Sequence, residues 1–93
     1  LLHSVEAVIH QQDFENPKGA LNKLFTKGII SEPVYEIIDQ SEDDDNRELW
    51  KCSCTVEGFE TQECKGYFYK KSYAESDAAT KVLMEILNEN PGL

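Results

Sequence analysis

The sequence predicts a single α+β domain with the element order α-β-β-β-α, in which a three-stranded antiparallel sheet carries two helices on one face. Three observations support this prediction. A capped amphipathic helix comes early, a middle segment alternates apolar and polar residues with a period of two, and a long helix with an apolar stripe ends the chain. At 93 residues, the chain has room for one domain and not for two.

The first helix is predicted to open at Asn16-Pro17, because asparagine is a good N-cap and proline fits the first helical position. Gly28 is expected to end it. Residues 1–13 form an N-terminal extension with apolar residues at helical spacing, which indicates either a short extra helix or a tail ordered by a partner. The domain proper is predicted over residues 14–90. The buried stripe of the first helix is Ala20, Leu21, Leu24 and Phe25.

Three strands are predicted between the helices. The first, Val34–Asp39, is separated by a hydrophilic loop over residues 41–46 from the second, Leu49–Glu57. The second strand alternates strictly, as a half-buried antiparallel strand does. Its apolar face carries Trp50, Cys52, Cys54 and Val56. The third strand is predicted over Thr61–Tyr69, with Cys64, Gly66 and Phe68 on one face and Lys65, Tyr67 and Tyr69 on the other.

The last helix has the clearest signals. Ser72 and Glu75 match an S-x-x-E capping box, and the run Asn90-Pro91-Gly92 is expected to stop the helix. Its apolar stripe is Ala74, Ala78, Val82, Leu83, Ile86 and Leu87.

The charge is strongly acidic and uneven. Eighteen acidic residues against nine basic ones give a net charge of −9, which on average repels nucleic acid. Seven acidic side chains lie between Glu36 and Glu48. The later half contains Lys65, Lys70, Lys71 and Lys81, so a local basic patch is compatible with the sequence.

Membrane and secretory segments are not expected. No apolar run approaches the roughly 20 residues of a membrane span, and Leu1–Gln11 has no signal-peptide pattern. The start at Leu1 suggests a piece of a longer protein.

Three cysteines predict buried thiols in a reducing, intracellular protein of the nucleus or cytoplasm. Cys52 and Cys54 share a face of one strand, which suits a core and not a disulfide. Neither their spacing nor His3 and His10 matches a zinc motif, so no metal and no cofactor are expected.

Taken together, these residues resemble the double-stranded-RNA-binding domain family over about residues 14–90. The most specific part is Gly66 followed by Ala74 and the alanine pair ending at Ala79. The resemblance implies the α-β-β-β-α fold of that family. The matching segments are Asn16-Pro-Lys-Gly-Ala-Leu-Asn22, Pro33-x-Tyr35, Trp50-x-Cys-x-Cys-x-Val56, Gly66, and Ala74-Glu-Ser-Asp-Ala-Ala79 ahead of Leu83 and Leu87.

In that family three patches contact duplex RNA. In the first, a glutamate follows a Leu-Asn pair, and Lys23 stands there instead. The second is a Gly-Pro-x-His loop, which residues 42–46 replace with an acidic run. The third is a Lys-Lys-x-Ala-Lys cluster, matched by Lys71-Ser-Tyr-Ala-Glu75 with one lysine of three kept. Phe68 also replaces a family glycine. The resemblance therefore implies a degenerate member.

Two functions follow from the resemblance. The preferred one is protein binding, as a homo- or heterodimerisation module of an RNA-silencing protein, with a plant Dicer partner or Dicer-like protein as the suggested source. The partner would be another protein with such a domain, and the net charge of −9 mildly favours a basic one. An edge strand can accept a partner strand. The residues expected at this interface are Lys65, Tyr67, Phe68 and Tyr69.

The alternative is weak, salt-sensitive binding of double-stranded RNA without sequence preference. No catalytic residues are recognisable, so neither an enzyme nor a small-molecule substrate is expected. The residues expected to contact RNA are Lys18, Asn22, Lys23, Lys70, Lys71 and Lys81.

Overall fold

The computed structural model describes residues 9–89 and has the predicted α-β-β-β-α architecture. An antiparallel sheet of order β1-β2-β3 lies against two helices, which confirms the predicted fold class. A five-residue 3-10 helix, Gln11–Glu15, precedes them. No helix among residues 9–89 combines the length and the apolar character that crossing a bilayer requires. The elements are α1 (Pro17–Thr26), β1 (Val34–Glu42), β2 (Glu48–Thr55), β3 (Gln62–Glu63) and α2 (Lys71–Glu89).

Both ends of α1 are capped as predicted. The Asn16 side chain accepts a hydrogen bond from the Gly19 N–H at 3.2 Å, and Pro17 occupies the first helical position. At the other end Gly28 has φ +76°, and its N–H donates to the Phe25 carbonyl. The next N–H, of Ile29, donates to Leu24. This pair of bonds is a Schellman motif, which needs the left-handed conformation that glycine adopts without strain.

The start of α2 differs from the prediction. The Lys70 carbonyl accepts from the N–H groups of Tyr73 and Ala74, so the helix begins at Lys71 and Ser72 lies inside its first turn. Glu75 contacts Lys18 instead of reaching back to an N-cap. The predicted capping box is therefore wrong, because Ser72 lies within the helix and is not its N-cap, and the Glu75 carboxylate pairs with Lys18 of α1.

The core lies between β2 and the two helices, with small side chains in the first turns of α2 and larger aliphatic ones farther along that helix and on α1. The alanines of α2 let the helix lie close to the strand, where both cysteines of β2 and the following Val56 are fully buried. The predicted core cysteines are thus confirmed, and all three thiols are free. Phe25, predicted in the stripe of α1, is partly exposed at its margin. The buried apolar residues are Ile9, Ala20, Leu21, Leu24, Cys52, Cys54, Val56, Cys64, Ala74, Ala78, Ala79, Val82, Leu83 and Ile86.

Strand β1 is longer than predicted and contains a bulge. It continues past Asp39 to Glu42, and its register with β2 shifts between Ile37 and Asp39. Ile38 is the extra residue. Before the bulge, Ile37 lies opposite Cys52 on the helix side of the sheet; after it, Asp39 lies opposite Lys51 on the helix-free side.

The third strand is far shorter than the predicted Thr61–Tyr69. Only Gln62–Glu63 form regular β3, and the ladder resumes as a single bridge in which Phe68 and Trp50 exchange both backbone hydrogen bonds. The Cys64 N–H donates to the Cys52 carbonyl. Three residues lie between Cys64 and Phe68, whereas only one residue of β2 lies between their partners, Cys52 and Trp50. This edge is therefore kinked and not a continuous strand.

The N-terminal extension is partly visible. Ile9 is buried in the core, and the 3-10 helix straddles the predicted boundary at residue 13. The rest of the extension, residues 1–8, and the predicted stop at Asn90-Pro91-Gly92 lie outside the described residues.

Replacing Gly28 with alanine should cost about 1–2 kcal/mol of unfolding free energy, because alanine is strained at positive φ although its Cβ would meet no atom within 4 Å. Gly66→Ala is the matched control: it too has open space, and its φ is not positive. That variant should lose nothing and gain up to about 1 kcal/mol. Urea denaturation followed by circular dichroism measures both; equal losses would contradict the explanation.

Candidate functional site

The first candidate RNA patch lies on the exposed side of α1, and an ion pair occupies its first lysine. The Lys18 Nζ lies 2.5 Å from a Glu75 carboxylate oxygen of α2 and 5.1 Å from the centroid of the Tyr35 ring. Asn22 is exposed beside them. Glu75 occupies the place of the third family lysine, so a carboxylate neutralises Lys18 where two basic patches would meet.

Lys23 is paired as well. Its Nζ lies 2.9 and 3.2 Å from the two carboxylate oxygens of Asp13, in the 3-10 helix. The backbone N–H of His10 and the Lys23 ammonium hold the pKa of Asp13 below its ordinary value. No sequence pattern predicts this pair, because Asp13 precedes the predicted domain and its distance from Lys23 depends on how the extension docks.

At the start of α2, two lysines stack on aromatic rings. The Lys71 Nζ lies 4.4 Å from the Trp50 ring centroid, and the Lys70 Nζ 5.3 Å from that of Tyr73. Both side chains are exposed, and within residues 9–89 neither forms an ion pair with a carboxylate. These two lysines are the cationic groups that remain accessible at the helix N-terminus.

Lys81 does not join this cluster. It lies ten residues beyond Lys71, about 15 Å along the helix axis. Its Nζ donates to the Glu63 carbonyl at 2.8 Å and so connects α2 with β3. Of the six candidate RNA residues, the structure brings Lys18, Asn22 and Lys23 together on α1 and Lys70 with Lys71 on α2.

The acidic loop between β1 and β2 is organised around Asp43. One carboxylate oxygen accepts the N–H groups of Asp45 and Arg47, both at 2.9 Å; the other accepts the Arg47 guanidinium. Bonds from the Arg47 backbone N–H, the Tyr69 hydroxyl, the Asp45 N–H and the Arg47 guanidinium lower the pKa of Asp43. Asp44 and Asp45 face solvent. Asp45 shares Arg47 with Asp43, at 3.6 Å from the guanidinium, so one arginine faces three carboxylates and the loop remains acidic where the second RNA patch would lie.

The helix-free face of the sheet carries a connected set of six residues, called here the tyrosine face. The Tyr67 hydroxyl donates to Asp39, and the Tyr69 hydroxyl donates to Asp43 at 3.0 Å. Both tyrosines keep about half their surface exposed, at 45% and 55%. The bulge at Ile38 is what turns Asp39 toward this face. The tyrosine face consists of Asp39, Asp43, Arg47, Lys51, Tyr67 and Tyr69, with Arg47 and Lys51 over the rings of Tyr69 and Tyr67.

Two of the residues predicted to bind a partner lie elsewhere. Phe68 is partly buried against the core on the opposite side of the sheet. Lys65 is exposed at the kink, where its backbone N–H donates to the Asp77 carboxylate at 2.8 Å. The structure therefore groups Tyr67 with Tyr69 but separates them from Phe68.

The outer edge of β1 was missed by the sequence reasoning. Val34, Ile37 and Ile38 are 50%, 49% and 40% exposed, although an apolar strand next to a core strand is expected to be covered. The signal was the adjacent pair Ile37-Ile38, since neighbours in a regular strand face opposite sides and both cannot enter one core.

Comparison with known proteins identifies the family. The model of the double-stranded RNA binding motif matches residues 17–86, from the start of α1 almost to the end of α2. The chain belongs to the double-stranded RNA binding motif family. It is also 32% identical over 71 residues to Ribonuclease 3 of Treponema succinifaciens. The match covers 76% of this chain and 18% of that protein, so the chain spans less than a fifth of its relative.

As a double-stranded RNA binding motif, the domain has an unusual electrostatic surface. The first expected patch contains lysines paired with carboxylates, and the second is the acidic loop. The third keeps Lys70 and Lys71. The matched region begins after Asp13, so the ion pair with Lys23 comes from outside the motif.

The lowered pKa of Asp43 predicts acid-sensitive stability. Folding lowers the pKa of Asp43 below its ordinary value of 3.8, so the ionised carboxylate stabilises the fold at pH values above 3.8. This stabilisation is lost as the pH falls through the folded-state pKa. We expect Asp43→Asn to flatten the fall in unfolding free energy below about pH 4, measured by urea denaturation. Asp44→Asn removes the same charge from an exposed side chain and should leave the slope almost unchanged. Identical slopes in the two variants would refute the role of Asp43.

Proposed function

We propose that this double-stranded RNA binding motif acts mainly as a protein-binding module, a homo- or heterodimerisation domain of an RNA-silencing protein. The observation that carries the proposal is the ion pair between Glu75 and Lys18. It places a carboxylate where a family lysine would meet phosphate, and it neutralises a lysine of the neighbouring patch. One substitution thus weakens two RNA contacts.

The acidic loop supports the same conclusion. Asp44 and Asp45 lie where the family loop would approach a groove, and the one arginine of the loop is shared between Asp43 and Asp45. Repulsion between the excess carboxylates of the loop and RNA phosphates opposes docking of the second patch. Duplex affinity depends on several neutralised phosphates, and few sites remain to supply them.

A protein partner is supported by the surface that remains. The tyrosine face offers two half-exposed aromatic rings, held in place by hydrogen bonds, and rigid aromatics are favoured anchors of protein interfaces. We propose another double-stranded-RNA-binding-domain protein as the partner. The origin of the chain in an RNA-silencing protein is part of this proposal and is supported by the family membership.

A second candidate function is weak, salt-sensitive binding of duplex RNA. It is favoured by Lys70 and Lys71, whose ammonium groups are exposed at the N-terminus of α2. Contacts from only two lysines would be lost as the salt concentration rises.

Reversing the charge at Glu75 should create an RNA binder. Glu75→Lys restores a family lysine and releases Lys18, so we expect the affinity for a 20-base-pair RNA, about the length the family spans, to rise on the order of tenfold at low salt. Glu89→Lys makes the same charge change on exposed α2 surface about 21 Å away and should have much less effect. Fluorescence anisotropy at low and physiological salt measures both. Strong binding by the unaltered chain at physiological salt would overturn the proposal.

Photo-crosslinking in the native protein tests the partner directly. A benzophenone amino acid at Tyr69 should give adducts that survive ribonuclease treatment and shift by the mass of a protein. The same amino acid at Lys71 should give few adducts. Ribonuclease-sensitive adducts from Lys71, with none from Tyr69, would instead support RNA binding.

A further inference from the structure

We propose that the outer edge of β1 binds an extended, basic segment of the partner and adds it to the sheet as a fourth strand. This inference rests on the proposed function and specifies where the partner binds and what chemistry it carries.

The first support is the edge itself. In the sheet order β1-β2-β3, β1 pairs on one side with β2, and its other side faces no strand of the described chain. The strand has nine residues, about 30 Å of backbone, with N–H and C=O groups directed outward along it. A partner strand could satisfy these groups, apart from the Gln40 N–H, which donates to the Asp39 carboxylate at 2.9 Å.

The second support is uncovered apolar surface along this edge. Helix α2 packs on β2 and β3, and α1 packs on α2 and reaches β1 at Tyr35 through the Lys18 side chain, so Ile37 and the residues after it are left exposed. Ile37 is half exposed although its cross-strand neighbour Cys52 is fully buried. Ile38, the bulge residue, and Val34, which pairs with Thr55 and so lies on the helix-free face, add exposed apolar surface along the same edge. Side chains of an added strand would cover Ile37 on the helix side and Val34 on the other side.

Charge determines the kind of partner. The segment from Gly28 to Asn46 contains no lysine or arginine, and β1 itself carries Glu36, Asp39 and Glu42. A second copy of this chain would bring the same carboxylates across the new ladder, and like charges opposite each other are destabilising. Glu36 and Asp39 lie on the helix-free face and Ile37 on the helix side, so a segment that alternates lysine or arginine with β-branched residues complements both faces.

The other edge of the sheet is less suited to strand addition. Regular β3 has two residues, and the kink before Phe68 interrupts the ladder. The Lys65 N–H is taken by Asp77 and the Glu63 carbonyl by Lys81. The bulge at Ile38 divides β1 into two regularly paired stretches, Val34–Ile37 and Asp39–Glu42, which favours a partner segment in one register.

The test uses a capped ten-residue peptide of alternating lysine and valine, titrated into the chain and followed by backbone amide NMR. We expect shifts concentrated in Val34–Glu42 and slowed amide exchange there. A second peptide with alternate amides N-methylated keeps every charge and side chain but lacks donors along one edge. It should bind at least tenfold more weakly. Equal binding by the two peptides would overturn strand addition, and shifts confined to Lys65–Tyr69 would place the partner on the other edge.

Protein variants supply an independent comparison. Ile37→Lys adds a charge to the edge and should weaken binding at least tenfold. Met84→Lys makes the same change at a 59% exposed residue of α2 and should bind the peptide as the unaltered chain does.

Sedimentation equilibrium of the chain alone should show a monomer; a dimer abolished by Ile37→Lys would overturn the choice of a basic partner. Protein adducts from Tyr69 together with failed peptide binding would refute only this inference, whereas absence of protein adducts would refute the proposed function.

Discussion

The close approach of α2 to β2 is the constraint on which the rest of the structure depends. The buried alanines 74, 78 and 79 share the core cluster with Cys52 and Cys54, and these small side chains allow a short distance between helix and strand. Helix α2 therefore packs on β2 and β3 and not on the outer strand β1. The same placement brings the first turn of α2 beside α1, within reach of the Glu75–Lys18 pair. The position of α2 over β2 therefore underlies both the weakened RNA surface and the exposed β1 edge.

The surface shows how a motif can keep its fold while its charges are reassigned. In residues 9–89, Lys18, Lys23 and Lys81 all bind acceptors within the molecule, and Lys70 and Lys71 lie over aromatic rings. None of these contacts is strong alone, since exposed ion pairs contribute about 0–1 kcal/mol. Their effect on function is larger than their effect on stability, because each must be given up before that lysine can meet a phosphate.

The helices could be predicted from sequence because their signals are local. Asn16-Pro17 and Gly28 act within α1, and the apolar stripe of α2 has one period throughout. The sheet edges could not be predicted in this way, because they depend on contacts with residues that are distant in the sequence. The Lys65 N–H is bound by Asp77 and not by a strand, which ends β3 early. A glutamate near a helix start suits a cap or an ion pair equally, so Glu75 was misassigned. Asp13 reaches Lys23 only through the docking of the preceding turn.

The buried thiols have a consequence for the lifetime of the folded domain. Burial raises the pKa of Cys54 to about 11 and that of Cys52 above its ordinary value, so neither is a ready nucleophile in the closed molecule. Both become ordinary thiols when α2 lifts from the sheet. An electrophile that alkylates them in that moment would add bulk that the alanine-lined layer cannot hold, and the domain could not close again. Each transient opening is thus a chance of permanent inactivation, so the chemical lifetime of the domain is set by how often α2 opens.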